Sequence, residues 1–324
     1  MVATNSKHSS RYFLSCDWGT SSLRLFLVNM DTQEVVESIS SKNGVKLVND
    51  QVNSIADRAT VFKNILKKHI ELLTSKTNLK LDGLTLVASG MVSSSIGWME
   101  LPYATLPFST EGTRAESYLI PANDTFNHEV ILISGIRDQQ KDIMRGEETQ
   151  LIGLTHQIDP IDGWYVFPGT HSKHLLLKNR EITEFKTYMT GELFSLMAEQ
   201  SILKNNIGQE SAAFDEAAFL TGVDLGASDN LLHAFFTLRA MAVTTGSLVS
   251  PDQLSGLLIG YELSDTKQLS ERVVICATSD MIDRYGAALN HLRPNAENQV
   301  IKASLMDMAV PLGQLKLLNQ LKTY

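Results

Sequence analysis

The sequence predicts a mixed α/β protein built from two related domains. Its 324 residues can bury a large core, and this length favours about two domains. Short apolar segments of strand length alternate with longer segments of helical period, which favours sheets covered by helices. One pattern, Gly-Thr-x-Ser-x-x-Leu-x-Leu, occurs twice, at residues 19–27 and 169–177, each time after an apolar run. Such a repeat predicts two similar domains that face each other across a cleft.

The composition limits the class of protein. Hydrophobic residues make up 43% and charged residues 20% of the chain, as in globular proteins rather than disordered or fibrous ones. The net charge of −8 argues against nucleic acid as a partner, because binding that backbone needs clustered Lys and Arg. No run approaches the ~18 apolar residues of a membrane span, and the first residues lack the apolar centre of a signal peptide. We therefore expect a cytoplasmic protein with no membrane partner, in which Cys16 and Cys276 are reduced core residues.

The first half of the chain alternates strands and helices. A helix should begin at the capping pair Ser54 and Asp57, because apolar residues then recur at helical spacing. Residues 97–128 are typical of an irregular loop, and residues 137–141 of a polar turn. A second helix should begin near residues 145–148. The strands are predicted at about residues 12–17, 23–30, 34–40, 84–88 and 130–133.

The second half repeats the opening meander and then becomes mostly helical. Three strands are expected within residues 164–187, with later strands at 273–276 and 300–303. Helices are predicted at residues 191–203, 211–222, 228–245, 251–263, 280–292 and 305–321. We place the first domain at residues 1–158 and the second at 159–304, and we expect residues 305–324 to pack back on the first domain.

The two repeated turns have the residues of phosphate-binding sites. A glycine allows close approach of the backbone to a ligand, and N–H groups with short hydroxyls form a concavity for anions. An ordinary polar hairpin turn is the alternative for the first turn. Two matched turns favour the interpretation that they hold one polyphosphate from opposite sides. The candidates are Gly19, Thr20, Ser21, Ser22 and Arg24 in the first turn, and Gly169, Thr170, His171, Ser172 and Lys173 in the second.

Acidic residues supply the remaining parts of a phosphoryl-transfer site. Asp17 would repel phosphate unless a divalent cation lay between them, so we predict Mg²⁺ bound to Asp17 through water. Phosphoryl transfer also needs a base near the acceptor hydroxyl, and Glu147 or Glu148 can take that role. The alternative is that these two glutamates only complement the dipole of the helix that they begin. The sequence thus favours a phosphotransferase whose domains close around the substrate and exclude water.

The motif Asp-x-Gly-Thr-Ser-Ser-x-Arg at residues 17–24 resembles the first phosphate motif of the sugar kinase, actin and Hsp70 superfamily. That resemblance implies two ribonuclease-H-like (actin-like ATPase) domains facing a central nucleotide cleft. More narrowly, the chain resembles the 2-dehydro-3-deoxygalactonokinase family, whose motifs it matches in order over nearly the whole chain. These matching segments are residues 89–91, 97–103, 144–150, 168–173, 187–194 and 254–260.

The family resemblance implies a reaction and roles for particular residues. The reaction is ATP-dependent phosphorylation of the small sugar acid 2-dehydro-3-deoxy-D-galactonate on its 6-hydroxyl, with Mg²⁺. Glu148 also matches the catalytic glutamate of the exopolyphosphatase branch, so we rank it above Glu147 as the base. Gly256 and Gly260 would lie beside the adenosine. The implied residues of the sugar-acid pocket are Gly90, Trp98, Glu100, Tyr103, Arg145 and Thr170.

Two departures from the family pattern leave alternatives open. Ser95 stands where the family has an arginine, which removes a cation from the expected substrate loop. Residues 277–280 replace a Gly-Asp-Pro-like segment near the expected nucleotide site. Trp98 is alternatively a plug of the core. The functional alternatives are a polyphosphate or nucleotide phosphohydrolase and a weakly catalytic regulatory protein that binds a sugar acid. The exact sugar acid and a homo-oligomer are left open.

Overall fold

The chain divides into two compact units. The computed structural model describes residues 11–139, 141–209, 213–228 and 230–321. Unit 1 consists of Met1–Pro160 and Asp307–Tyr324, and unit 2 of Ile161–Met306. These limits lie within two residues of the predicted domain boundaries. That the two units act as ATPase domains stays a prediction.

Unit 1 is built on a mixed sheet with the strand order β3-β2-β1-β4-β8-β7. The first three strands are antiparallel neighbours, whereas β1, β4 and β8 run parallel. Three further strands form a small second sheet in the order β10-β9-β5. The elements are β1 (Tyr12–Trp18), β2 (Leu23–Asn29), β3 (Glu34–Ser41), α1 (Val45–Asn49), α2 (Ile55–Thr77), β4 (Leu86–Gly90), β5 (Ala104–Thr105), β6 (Phe108–Ser109), β7 (Ser117–Ile120), β8 (Val130–Ile133), β9 (Ile136–Asp138), β10 (Asp142–Met144) and α3 (Glu147–Gln157).

Unit 2 repeats this topology, because its five strands follow the order β13-β12-β11-β14-β15. Here too the first three strands are antiparallel and the last two run parallel to the first. Both units therefore have the strand order of a ribonuclease-H-like domain, which confirms the predicted α/β, actin-like fold class. The elements are β11 (Gly163–Phe167), β12 (Ser172–Lys178), β13 (Glu181–Tyr188), α4 (Thr190–Gln200), α5 (Glu216–Ser228), α6 (Leu231–Thr245), α7 (Pro251–Ser264), β14 (Val273–Ile275), α8 (Ser279–Leu292), β15 (Asn298–Val300) and α9 (Ala303–Asp307).

Helix α2 covers the sheet of unit 1 for the reasons that the sequence suggested. Ser54 lies before the helix in an extended conformation, and its hydroxyl accepts the N–H of Asp57 at 3.2 Å, as predicted for a capping pair. Asn78 ends the helix in the left-handed conformation. The face that Phe62 and Leu66 share packs into the core against Trp18 and Trp98.

Several local predictions were wrong. Residues 97–128 contain β7, an edge strand whose central Tyr118 and Leu119 are half exposed, so that it lacks the usual alternation of apolar and polar residues. The polar turn predicted at residues 137–141 is confirmed between β9 and β10, except that residues 137 and 138 belong to β9. The last strand precedes its predicted position by two residues. The short helix α1 was not predicted.

The predicted helix limits also need correction. The helix predicted over residues 211–222 begins at Glu216 and extends to Ser228, beyond its predicted end, and residues 210–212 lie outside the described residues. The helix predicted over residues 228–245 begins at Leu231, because residue 228 is the last residue of α5, and residue 229 lies outside the described residues. The single helix predicted over residues 305–321 is two helices, α9 and α10 (Ala309–Leu321). Among the described residues, no helix is long and apolar enough to cross a membrane.

Helix α10 returns to unit 1 and crosses α3 at two glycines. A Cβ atom added at Gly153 would lie 1.7 Å from the carbonyl oxygen of Ala309, and one added at Gly313 would lie 2.0 Å from that of Thr149. The next residue, Gln314, is buried and donates from Nε2 to the carbonyl of Cys16 and to the hydroxyl of Ser89. Helix α10 thus connects α3 with the ends of β1 and β4.

Glycines also permit the crossing of α5 and α7 in unit 2. A Cβ atom at Gly256 would lie 1.9 Å from the carbonyl oxygen of Phe219. We expect Gly256→Ala to lower the free energy of unfolding by about 1–3 kcal/mol, because the two helices must move apart. Urea unfolding followed by circular dichroism measures the change.

Gly286→Ala on α8 is the matched control, because a Cβ atom there would meet only Val300 Cγ2 at 3.8 Å. Alanine is the better helix former, so this variant should be neutral or more stable by up to about 1 kcal/mol. Equal stability of the two variants would contradict the close crossing as the reason for glycine at residue 256.

Candidate active site

The first predicted phosphate-binding turn connects β1 and β2 and is supported by the start of helix α1. The N–H of Gly19 donates to the carbonyl of Ser22 at 2.9 Å, and Thr20, Ser21 and Ser22 are exposed. At the start of α1, the N–H groups of Val45 and Lys46 donate to the carbonyls of Gly19 and Thr20. A Cβ atom at Gly44 would lie 2.2 Å from the Thr20 oxygen. The close contact at Gly44 therefore fixes this turn and leaves its hydroxyl side chains open to a ligand.

Asp17 and Arg24 face each other across this hairpin. They are paired in the β1–β2 register, and Asp17 Oδ2 accepts from Arg24 Nε at 3.1 Å and from a terminal guanidinium nitrogen at 2.5 Å. The arginine side chain is 39% exposed and the aspartate 14%. Asp17, the predicted metal ligand, and Arg24, a predicted phosphate-binding residue, thus form an ion pair within unit 1.

Two glycines bring the start of α3 to the ends of β1 and β4. Gly90 has φ of +92°, and a Cβ atom there would lie 2.9 Å from the Trp18 carbonyl and 3.7 Å from Asp17 Oδ1. Gly146 has φ of +113°, and a Cβ atom there would lie 3.5 Å from the Cα of Gly90. Backbones in these conformations and this close to neighbouring atoms favour glycine. Asp17, Gly90 and the residues that begin α3 therefore lie together at the carboxyl ends of β1 and β4.

The carboxylate of Glu148 lies near these strand ends and is only 2% exposed. Both of its oxygens accept the N–H of Gly146, at 3.0 and 2.8 Å, and Oε1 also accepts the hydroxyl of Thr149. Burial, and next the charge of Glu147, raise the pKa of Glu148 from 4.5 to about 7, although these hydrogen bonds act in the opposite direction. A carboxyl group with a pKa near neutrality is suited to proton transfer.

The carboxylate of Asp17 fits a magnesium ion that the protein holds through a single carboxylate. Mg²⁺ is usually held by one or two carboxylates, water and substrate phosphates rather than by a full set of protein ligands. Asp17 Oδ2 is engaged by Arg24, whereas Oδ1 lies on the side of Gly90. The described residues contain no group of three or more His, Cys, Asp or Glu side chains that could hold a metal by themselves.

Arg145 organises the predicted substrate loop from within. One terminal nitrogen donates to the hydroxyls of Ser93 and Ser134, and the other donates to the carbonyl of Leu101 at 2.9 Å. The guanidinium also lies 3.9 Å from the ring centroid of Tyr103. Arg145 therefore joins three segments of unit 1, and Tyr103 remains half-buried beside it.

The other predicted residues of this loop differ in exposure. Trp98 is 5% exposed and stacks on Phe62 in the core of unit 1, whereas Glu100 is exposed. At Ser95, the position of the missing family arginine, the backbone carbonyl accepts from Arg58 of α2 at 2.7 Å. A cation is thus present beside this loop, but it binds backbone oxygens there.

The second predicted turn connects β11 and β12 and is also backed by a helix start. The N–H of Glu192 donates to the carbonyl of Thr170 at 3.1 Å, and a Cβ atom at Gly191 would lie 2.8 Å from the carbonyl oxygen of Gly169. Thr170 and His171 are exposed, and His171 Nε2 lies 2.5 Å from a carboxylate oxygen of Glu192. The turn is therefore fixed in the same manner as the first.

The two hairpins differ by one residue in their pairing. Trp18 pairs with Leu23, which leaves four residues in the first turn, whereas Phe167 pairs with Lys173, which leaves five in the second. Ser172 is buried, whereas its counterpart Ser22 is exposed, and Lys173 is buried with Nζ donating to the hydroxyl of Thr187 at 2.9 Å. The gap-free alignment of the two motifs therefore does not transfer side-chain positions between them.

A cavity of about 550 Å³ lies beside the second turn within unit 2. It is lined by Gly169 and Gly191 and by the first turn of α7, which Ser250 caps and Pro251 begins. Asp252 pairs with Arg284 at 2.6 Å on its wall. The predicted adenosine residues Gly256 and Gly260 pack on α5, and their neighbours Ser255, Leu258 and Ile259 line the cavity.

Sequence reasoning missed three residues that support these turns. Gly44 and Gly191 each come three residues after the third strand of a meander, a spacing that a comparison of the two halves could have found. Glu262 lies on the buried face of α7 and has no such signal, because its partners are distant in sequence.

Comparisons with known proteins agree on one family. Residues 17–308 match the family model described as 2-keto-3-deoxy-galactonokinase. A 2-dehydro-3-deoxygalactonokinase of Escherichia coli (strain K12) is 30% identical over 85% of this chain and 88% of its own length. A relative from Rhizobium meliloti (strain 1021) that is described as a probable 2-dehydro-3-deoxygalactonokinase is 30% identical over 78% of this chain and 79% of its own length. A crystal structure described as a 2-dehydro-3-deoxygalactonokinase from Sinorhizobium meliloti has a TM-score of 0.77 and 27% identity, and covers 95% of this chain and 96% of that one.

The raised pKa of Glu148 predicts a pH-dependent cost in stability. The unfolded chain releases this proton near pH 4.5, whereas the folded protein keeps it until about pH 7, so the folded state loses stability as pH rises between these values. Glu148→Gln cannot ionise. We therefore compare the free energy of unfolding of this variant with that of the unsubstituted protein. The difference should shift in favour of the variant by up to about 3 kcal/mol between about pH 4 and pH 8.

Urea unfolding at both pH values measures this difference. Glu71→Gln, which changes an exposed carboxylate on α2, is the control and should give the same difference from the unsubstituted protein at both. A Glu148→Gln variant whose relative stability does not change with pH would contradict the raised pKa.

Proposed function

The chain belongs to the 2-keto-3-deoxy-galactonokinase family, and from this premise we propose that it transfers the γ-phosphoryl group of ATP to the 6-hydroxyl of 2-dehydro-3-deoxy-D-galactonate. Family membership makes the chain a kinase whose acceptor is a sugar acid. Our proposal adds the phosphoryl donor, the acceptor hydroxyl and the residues that act on them.

The observation that carries the mechanism is the buried carboxylate of Glu148 with a pKa of about 7. We assign it as the general base. As the 6-oxygen of the sugar acid forms its bond to the γ-phosphorus, the hydroxyl proton passes to Glu148, the bond between the γ-phosphorus and the bridging oxygen breaks, and ADP leaves. Glu147 helps indirectly, because its charge keeps the pKa of Glu148 high.

The two turns are proposed to bind phosphate oxygens of ATP. In the first turn this falls to Gly19, Thr20, Ser21, Ser22 and Arg24, and in the second to Gly169, Thr170 and His171. The exposure of Thr20, Ser21 and Ser22 and of Gly169, Thr170 and His171, and the support of both turns by helix starts, favour this role, because fixed donors need no reorganisation when an anion binds. Ser172 and Lys173 are buried, so they act by holding the second turn in place.

Asp17 would hold Mg²⁺ through water, and this ion would neutralise charge on the phosphates of ATP. The cavity of unit 2 is proposed to take the adenosine, with Ser255, Leu258 and Ile259 beside it rather than the glycines of α7. For the sugar acid we propose Gly90, Glu100, Tyr103 and Thr170, with Arg145 holding the loop. Trp98 is only 5% exposed, so any contact of this residue with the sugar acid is small.

A substrate panel tests the reaction. Purified protein with ATP and Mg²⁺ is given 2-keto-3-deoxy sugar acids and aldonates, and ADP release is followed by a coupled assay. We expect release to require a sugar acid and the product to carry phosphate on its 6-oxygen, as phosphorus NMR can establish. Equal ADP release with and without an acceptor would instead identify a phosphohydrolase and overturn the proposal.

Glu148→Gln should lower kcat by about 10²–10⁴-fold while ATP still binds, because a positioned base contributes about that much. In the unsubstituted protein, kcat should rise with pH through about 7, since only the ionised carboxylate accepts a proton. This rise should be absent from the residual activity of the variant. Glu71→Gln is the control and should keep both the rate and the profile. Turnover of Glu148→Gln near that of the unsubstituted protein would refute the assignment.

Asp17→Asn should raise the Mg²⁺ concentration needed for half-maximal activity by about 10–100-fold, a typical effect of removing a group that orients a metal. Titration of activity with Mg²⁺ measures it. Asp31→Asn, which breaks an exposed ion pair with Arg11 in the same unit, is the control.

The Arg24→Gln variant separates two explanations for Asp17→Asn. It breaks the same ion pair but keeps the carboxylate, so it should weaken ATP binding without changing the Mg²⁺ requirement. An unchanged Mg²⁺ requirement in Asp17→Asn would count against a metal role for Asp17.

A further inference from the structure

Glu262 is a buried carboxylate that the proposed reaction does not use. It lies near the end of α7 and is 1% exposed. Its Oε1 lies 2.8 Å from Nε2 of His174 on β12, and its Oε2 accepts the hydroxyl of Tyr285 on α8 at 2.8 Å. Oε2 also accepts the hydroxyl of Thr190, the first residue of α4. One carboxylate therefore joins four elements of unit 2.

The hydrogen bonds continue from Glu262 to the second phosphate-binding turn. Because the Tyr285 proton is donated to Glu262, the Tyr285 oxygen is left to accept from Ser172, whose Oγ lies 3.0 Å away. Ser172 Oγ in turn accepts the N–H of Gly169 at 3.3 Å. A directed chain thus runs from the backbone of the turn through two hydroxyls to the carboxylate. Such networks in a dry interior are rigid when every member is satisfied.

The same network forms part of the wall of the cavity in unit 2. Gly169, Thr190 and Tyr285 line the cavity, whereas Glu262 lies behind them. Burial of a carboxylate is costly unless several donors surround it, so a well-packed apolar residue would be the simpler choice for a role in packing alone. The donors that surround Glu262 are those that shape the cavity and the turn.

We propose that Glu262 is a positioning residue for nucleotide binding. Its carboxylate holds the second turn, the start of α4 and Tyr285 in one arrangement, so that the cavity and the turn bind the two ends of the same nucleotide. This inference rests on the proposed function in taking the cavity as the adenosine site. Glu262 acts through Tyr285, Thr190 and Ser172 and does not itself touch the nucleotide.

Equilibrium binding of ATP and ADP to the full-length protein tests the proposal without requiring turnover. We expect Glu262→Gln to raise the Kd for both nucleotides by about tenfold, because a neutral amide cannot accept from all three donors. Tyr285→Phe removes the hydrogen bonds of this hydroxyl to Glu262 and Ser172 but leaves His174 and Thr190 on the carboxylate, so it should raise the Kd by about threefold. The value of kcat at saturating ATP should change less than about twofold, because the proposed base Glu148 lies in unit 1 and takes no part in this network.

Asp224→Asn is the matched control, because it breaks an exposed pair with His291 in the same unit. It should bind nucleotides like the unsubstituted protein. A lower Tm with unchanged nucleotide Kd in both network variants would show that Glu262 serves stability alone and would overturn the proposal. If Glu262→Gln does not fold, an unchanged Kd in Tyr285→Phe still overturns it.

The binding measurement also separates this inference from the proposed reaction. Protein that binds ATP with the expected dependence on Glu262 but phosphorylates no sugar acid would refute the reaction and support the positioning role. Unsubstituted protein that binds neither ATP nor ADP would overturn both.

Discussion

Close approach of backbone to backbone is the constraint on which both candidate sites depend. A turn that is proposed to bind phosphate must be stationary, yet it must leave side chains such as those of Thr20 and Thr170 open to the ligand. Both units meet this requirement by placing a helix start behind the turn, where Gly44 and Gly191 admit contacts that any side chain would block. Gly90 and Gly146 solve the related problem of bringing the start of α3 to the end of β4.

The two buried carboxylates for which we propose roles, Glu148 and Glu262, differ in their surroundings. Glu148 receives its donors from its own segment, namely the backbone N–H groups of Gly146 and Glu148 and the hydroxyl of Thr149. The charge of Glu147 opposes its ionisation, which keeps its pKa near neutrality. Glu262 receives donors from three other elements, an arrangement that suits a fixed support. Burial alone therefore does not determine what a carboxylate does in this protein. The number of donors and the nearest charge do.

The sequence predicted what depends on local pattern and repetition. Short segments of the sequence are enough to predict the two meanders, the cap at Ser54 and the shared turn motif. The duplicated topology followed from these three features. It could not predict β7, whose exposed edge lacks alternation, or the one-residue difference between the hairpins, because pairing depends on partners outside the motif. The family resemblance placed Gly256 and Gly260 beside the adenosine, whereas only the neighbouring helix α5 reveals that both glycines pack against it. The roles of Gln314 and Glu262 depend on contacts across long sequence separations.

The return of α10 to unit 1 has a consequence for synthesis on the ribosome. Unit 2 is continuous in sequence, so its five strands can pair as soon as they have left the exit tunnel. The earlier strands of unit 1 wait longer, because Gln314 and the glycine crossing with α3 belong to a helix that is made after all of unit 2. The half of the protein that is translated first is therefore the half that is completed last.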